Sequence, residues 1–134
     1  MLSAEAVRKI CLSFANSTEQ IQWGDNLLFK IGGKMFAVLS LEPAAAVLSF
    51  KVTAENFAEL TERPNIIPAP YLARASWIAL ESHDALELTE AAQLLRNSYE
   101  LVVAKLPKRM RESLIQKEAV RGKRIKVRVS KSKS

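Results

Sequence analysis

Two glycines, Gly32 and Gly33, stand between two runs patterned as strands, Leu27 to Ile31 and Lys34 to Ser40. No other feature restricts the fold as tightly. A two-residue hairpin loop requires positive φ at its centre, and glycine adopts it without a Cβ clash. The spacing predicts an antiparallel hairpin with Ile31 opposite Lys34, Phe29 opposite Phe36 and Leu27 opposite Val38. One face is then aromatic and aliphatic, fit for a core, while Lys30 falls on the other face beside Met35. Ile31-Gly32-Gly33-Lys34 also invites a phosphate-loop reading. That reading fails on context. A phosphate loop leads from a strand into a helix with free amides, whereas Met35 to Leu39 continues as a strand and the GxxxxGK[ST] spacing is absent.

Helices and further strands surround this hairpin. Ser3 can cap a first helix with Glu5 in its first turn, and Val7, Ile10, Cys11 and Phe14 recur at helical spacing as a buried stripe. Cys11, the single cysteine, lies in that stripe and reads as a core residue; it permits no internal disulfide and no cysteine metal cluster. Gln20 to Trp23 reads as a short strand, and Ala46 to Val52 alternates as another. Thr53 caps a short helix carrying Phe57 and Leu60, which Arg63-Pro64 stops. Asn65 to Tyr71 contains two prolines and reads as rigid loop, Arg74 to Glu81 as one more strand. Thr89 can cap a long helix whose Ala92, Leu95, Tyr99, Val102 and Leu106 line one face, and Pro107 opens a further helical stretch to about Lys117. The fold class that follows is α+β, an antiparallel β-sheet with helices packed against it. At 134 residues the chain suits one domain, expected over 1–116.

Charge divides the chain unevenly. Residues 1–104 hold 8 Lys/Arg against 12 Asp/Glu, and residues 105–134 hold 12 against 2, giving balances of −4 and +10 and a total of +6. Clustered cations act over about a Debye length, ~8–10 Å, and suit a polyanionic partner. The segment 117–134 lacks large core residues and reads as a basic, flexible tail, although Ile125, Val127 and Val129 alternate with Lys126 and Arg128. The N-terminus lacks the basic-then-apolar order of a signal peptide, and no apolar run approaches the roughly 18 residues that span a bilayer. A cytoplasmic, monomeric protein with no membrane partner is expected.

The stretches Phe29 to Ala37, Asn65-Ile66-Ile67-Pro68, Tyr71, Trp77 and Asn97 to Lys108, in that order, resemble the MmcQ/YjbR family of small bacterial proteins. The resemblance covers residues 1 to about 112. It implies a CyaY-like fold, similar to that of frataxins, with a double-wing DNA-binding-like shape and a DNA-binding role. Leu72-Ala73-Arg74-Ala75-Ser76 departs from the family pattern, which often carries His and Asn there.

Four functions are weighed on the residues. Nucleic-acid binding, DNA or RNA, draws on phosphate contacts from exposed lysines and arginines. The candidates on strands and turns are Lys30, Lys34, Lys51 and Arg74; those near the last helix are Lys105, Lys108, Arg109 and Arg111; and the tail adds Arg121, Lys123, Arg124, Lys126 and Arg128. The tail is expected to carry most of the affinity. An enzyme would need a positioned acid–base set, and the single histidine, His83, sits between Ser82 and Asp84 in a turn, with no catalytic signature nearby. A hard-cation site would need grouped carboxylates, but the first helix offers Glu5 beside Arg8 and Lys9, so neither metal nor cofactor is expected. The alternative to nucleic acid is a protein- or small-molecule-binding module, with Trp23, Tyr71 and Trp77 framing a pocket or, more commonly, partly buried in the core.

Overall fold

In a computed structural model describing residues 2–42, 44–70 and 72–114, strands β2 (Asn26–Ile31) and β3 (Lys34–Ser40) meet at Gly32, φ +59°, and Gly33, φ +80°. Positive φ at both centres is the type I′ turn that the glycine pair predicts. Near the tip the register is as expected, Ile31 opposite Lys34 and Lys30 opposite Met35. Then it slips by one. Phe29 faces Ala37 and Leu27 faces Leu39, not Phe36 and Val38, because Phe36 is an extra residue, a β-bulge. The bulge lets Phe36 and its neighbour Ala37 both enter the core, each fully buried.

Strands β1 (Thr18–Gln22), β4 (Leu48–Lys51), β5 (Ile66–Pro68) and β6 (Trp77–Leu80) complete a six-stranded sheet in the order β1-β2-β3-β4-β6-β5. Every neighbouring pair is antiparallel. Helices α1 (Ala4–Leu12), α2 (Ala54–Leu60) and α3 (Leu88–Val103) make this an α+β fold, and 108–114 is helical again.

Three expected boundaries move. The proline segment is not all loop: Ile66–Pro68 pairs with β6 as an edge strand, where a proline costs no ladder bond. Arg74 is not in a strand but in a 3-10 turn, Ala73–Ala75, closed by Ser76 at φ +63°. Helix α3 starts at Leu88 with Glu87 as N-cap, so Thr89 lies inside the first turn and Ala91 rather than Ala92 is fully buried. Ser3 and Thr53 cap α1 and α2 through their side-chain oxygens, as their positions suggest.

One face of the sheet carries Leu27, Phe29, Phe36, Leu39, Phe50 and Ile78, which bury against Val7 and Cys11 of α1 and Leu95, Tyr99 and Val102 of α3. Phe36 meets Tyr99 edge-on, ring centroids 5.5 Å apart. Ser98 is the only buried polar residue among those described, and its position explains the bulge. The Lys51 amide donates to Ser98 Oγ at 3.0 Å, and that hydroxyl donates to the Phe36 carbonyl at 2.6 Å. A helix side chain thus stands where β3 and β4 would otherwise exchange a backbone bond. Next to it, Tyr99 Oη donates to the Ala15 carbonyl at 2.6 Å and ties α3 to the end of α1. On the opposite sheet face a smaller cluster of Ala69, Trp77 and Ala79 packs with Val38, Ile67 and Leu72.

Candidate functional site

The register defines two ends of the sheet. Thr18, Ile31, Lys34, Lys51 and Trp77 mark one; Gln22, Asn26, Ser40, Leu48 and Leu80 mark the other. Helix α3 runs toward the first end, because Leu106 and Met110, just beyond it, meet the hairpin tip. A Cβ built on Gly32 would lie 2.9 Å from Leu106 and 3.0 Å from Met110. Gly32 is therefore required for its backbone angle, and a side chain there would also have to displace the ends of the Leu106 and Met110 side chains.

All eight candidate cations among the described residues gather at that first end. Lys30 and Lys51 are on strands beside the tip, Lys34 is in it, and Arg74 is in the turn before β6. Lys105, Lys108, Arg109 and Arg111 follow α3. The ion pairs of the described residues join Arg8 to Glu19, Arg63 to Glu59 and Glu90, and Arg96 to Glu100, so none of the eight is neutralised by a carboxylate there. Three are oriented by neutral partners. Lys30 Nζ donates to Gln20 Oε1 at 2.9 Å, Lys51 Nζ to the Ala75 carbonyl at 2.8 Å and Arg111 Nε to the Leu106 carbonyl at 3.0 Å. Partial burial, and then repulsion from Lys105, holds the Lys51 ammonium below the usual lysine range. That repulsion couples Lys51 to Lys105 although two α-helices, α2 and α3, and two strands, β5 and β6, separate them in sequence.

The far end has the opposite character. Asp25, Glu42, Glu81, Asp84, Glu87 and Glu90 lie in its turns or at the start of α3. Arg63, the cation nearest them, is bridged to Glu59 and Glu90.

The remaining candidates resolve individually. Arg121, Lys123, Arg124, Lys126 and Arg128 lie outside the described residues, as does Tyr71. Trp77 is 5% exposed and Trp23 is 64% exposed, at opposite ends of the sheet, so these two tryptophans form no common pocket. Burial accordingly holds for Trp77 and not for Trp23, which sits in a turn at φ +52°. Cys11 is sealed in the core, and burial pushes its thiol well above the usual range, which suppresses the thiolate. His83 Nδ1 lies 2.7 Å from the Leu2 carbonyl, and since a carbonyl only accepts, Nδ1 carries the proton. The Leu2 amide donates to the His83 carbonyl in return, so this histidine anchors the N-terminal segment.

Sequence reasoning missed a cavity of about 600 Å³ at the basic end. Its walls are the turn at Asn16 to Thr18, the hairpin at Ile31 and Gly32, and one face of 106–114, including Arg109 and Ser113. The spacing of Leu106, Arg109, Met110, Ser113 and Leu114 on one helical face was the readable signal; the opposing wall comes from a remote part of the chain and gave none.

A family model described as YjbR matches residues 12–101. Among solved structures, protein DR2400 of Deinococcus radiodurans, described as domain DUF419, superposes with a TM-score of 0.73 at 26% identity, covering 85% of this chain and 88% of that one. A Pseudomonas syringae protein superposes with a TM-score of 0.63 at 20% identity, covering 75% of this chain and 98% of that one, and shares the fold. No curated protein matches the chain.

Proposed function

The chain belongs to the YjbR family, and from that premise we propose that it binds nucleic acid, DNA in the first instance, without transforming it. The observation that supports this reading is the convergence of eight cations, unpaired with carboxylates among the described residues, on one end of the sheet, with the acidic turns at the other. Phosphate recognition asks for cations that protrude, repel one another when empty and are relieved by an anion. Lys51 and Lys105 repel one another in this way, Lys105 from an exposed position and Lys51 from a partly buried one. A type I′ hairpin docked on Leu106 and Met110 holds Lys34 on a stiff support, so little ordering entropy is lost when a phosphate is bound. A binding rather than catalytic role is supported by the structural tasks of Cys11 and His83, the residues best suited to nucleophilic or general-base chemistry.

The test is fluorescence anisotropy with labelled DNA and RNA over a salt series, on the full chain and on Lys34→Glu/Lys108→Glu. Each phosphate neutralised on duplex DNA contributes a slope of about −0.9 in log K against log salt. The double reversal should weaken binding at least tenfold and flatten the slope by about 1.8, two contacts' worth. A control reversal at the far end, Glu87→Lys, should leave the slope unchanged. Equal binding by the parent and the double reversal ends the proposal.

A further inference from the structure

We infer that the cavity between the hairpin tip, the 16–18 turn and the 106–114 helix receives a nucleobase of a single strand whose phosphates lie on the surrounding cations. The inference rests on the nucleic-acid reading above and narrows it to single-stranded substrates.

Location comes first. The cavity opens among the same residues that carry the charge: Arg109 is one of its walls, Lys108 is that residue's neighbour, and Lys34 follows the Gly32-Gly33 turn whose first glycine lines it. A comparably large cavity, about 630 Å³, lies at the acidic end beside Glu42 and His83, where phosphates would be repelled. Volume and lining come next. About 600 Å³ falls within the range of small-ligand sites, ~300–1,000 Å³. Ile31, Leu106, Met110 and Leu114 supply apolar and thioether surface, suited to the faces of a flat ring. Thr18 and Ser113 bring hydroxyl groups that bond to nothing else among the described residues, suited to the polar edge of a base. The Arg109 guanidinium can stack on a base plane or pair with the adjoining phosphate.

That combination discriminates between forms of nucleic acid. In a duplex the bases are paired and stacked, and seating one in this open depression costs unpairing and unstacking; in a single strand the base is already free to turn out. A flat cationic surface without the cavity would not make the distinction.

The experiment uses the full chain in about 0.15 M salt, near the physiological Debye length of ~8 Å. Three labelled probes of equal length are titrated: a mixed-sequence single-stranded DNA, the same strand with abasic residues throughout, and a blunt duplex. The base-bearing strand should bind about tenfold or more tightly than the abasic strand, as expected when seating a base contributes on the scale of one stacking contact. Ser113→Trp, which fills the cavity and changes no charge, should lower the base-bearing strand to the abasic level and leave the abasic strand unchanged. Equal affinity for base-bearing and abasic strands overturns the inference, and so does preference for the duplex; neither outcome depends on the variant folding. Failure of the underlying reading has its own signature, namely that none of the three probes binds and that lowering the salt to about 0.05 M does not restore binding.

Discussion

Replacing Ser98 with alanine should be the most damaging removal of a single atom in this fold. Its hydroxyl is fully buried, accepts from the Lys51 amide at 3.0 Å and donates to the Phe36 carbonyl at 2.6 Å. Without it a strand amide and a bulge carbonyl are left facing each other across the gap the hydroxyl filled. Each buried unsatisfied group costs roughly 1–3 kcal/mol, so two would cost about 2–6 kcal/mol if nothing moved. The two groups can partly close on one another and recover a hydrogen bond worth ~1 kcal/mol, which places the expected loss near 2–4 kcal/mol. Against a domain stability of about 5–15 kcal/mol that is large, and at roughly 4 °C per kcal/mol for a chain of this size it lowers Tm by about 8–16 °C. Urea unfolding followed by circular dichroism gives the midpoint and slope for the parent, Ser98→Ala and Ser98→Thr. Threonine keeps the hydroxyl and should restore part of the loss, less the strain of an added methyl in a packed core. A loss below about 0.5 kcal/mol for Ser98→Ala, at unchanged slope, would show that the bulge and the strand end do not depend on this hydroxyl.

Further outcomes follow from the same geometry. Gly32→Ala and Gly33→Ala both force a side chain into positive φ at about 1–2 kcal/mol, and Gly32→Ala should cost more because its Cβ also presses on Leu106 and Met110; equal urea midpoints would refute the contact. Native Cys11 should resist thiol reagents until the protein unfolds, and its raised thiol contributes stability that is full below the unfolded thiol's pKa of ~8.5 and declines as pH rises beyond it. Relative to Cys11→Ala, the parent's urea midpoint should therefore fall more steeply between pH 8 and pH 10. Removing residues 117–134 should abolish most of the affinity for DNA yet leave a shallower salt slope from the eight cations of the body. Complete loss of salt dependence in the truncated chain would show that the body contributes nothing.

Much of this architecture was legible because its signals are local. A glycine pair specifies a type I′ turn, Ser3 and Thr53 are caps wherever a helix follows, and Cys11 falls on an apolar stripe whatever packs against it. The hairpin register escaped, because a bulge at Phe36 is chosen by the core and by Ser98 from a distant helix, and nothing in the hairpin itself announces it. The start of α3 was also misplaced: Thr89 is a better capping side chain than Glu87, yet the helix begins at Leu88, itself 46% exposed, with Glu87 as N-cap and no side-chain cap bond. The Asn97 to Lys108 stretch, one of those that carry the family resemblance, holds the architectural residues Ser98 and Tyr99. At the candidate site the identity of each cation could be read in advance. Their convergence could not, since it follows from antiparallel strand order and the direction of α3. The cavity was hidden for the same cause, its two walls being joined only in the folded state.

The separation of charge along the sheet also governs how these molecules meet each other. With eight cations at one end, where Glu55 and Glu112 also lie, and six acids in the turns and helix start at the other, the body carries a net dipole, and two copies in dilute buffer are expected to attract end to end in a heterologous, head-to-tail manner. Light scattering in about 0.01 M salt, where the Debye length is ~30 Å, should register chains of copies that dissolve on adding either salt or a polyanion. A strand of nucleic acid would then act as a capping agent, occupying the positive pole and terminating the stack.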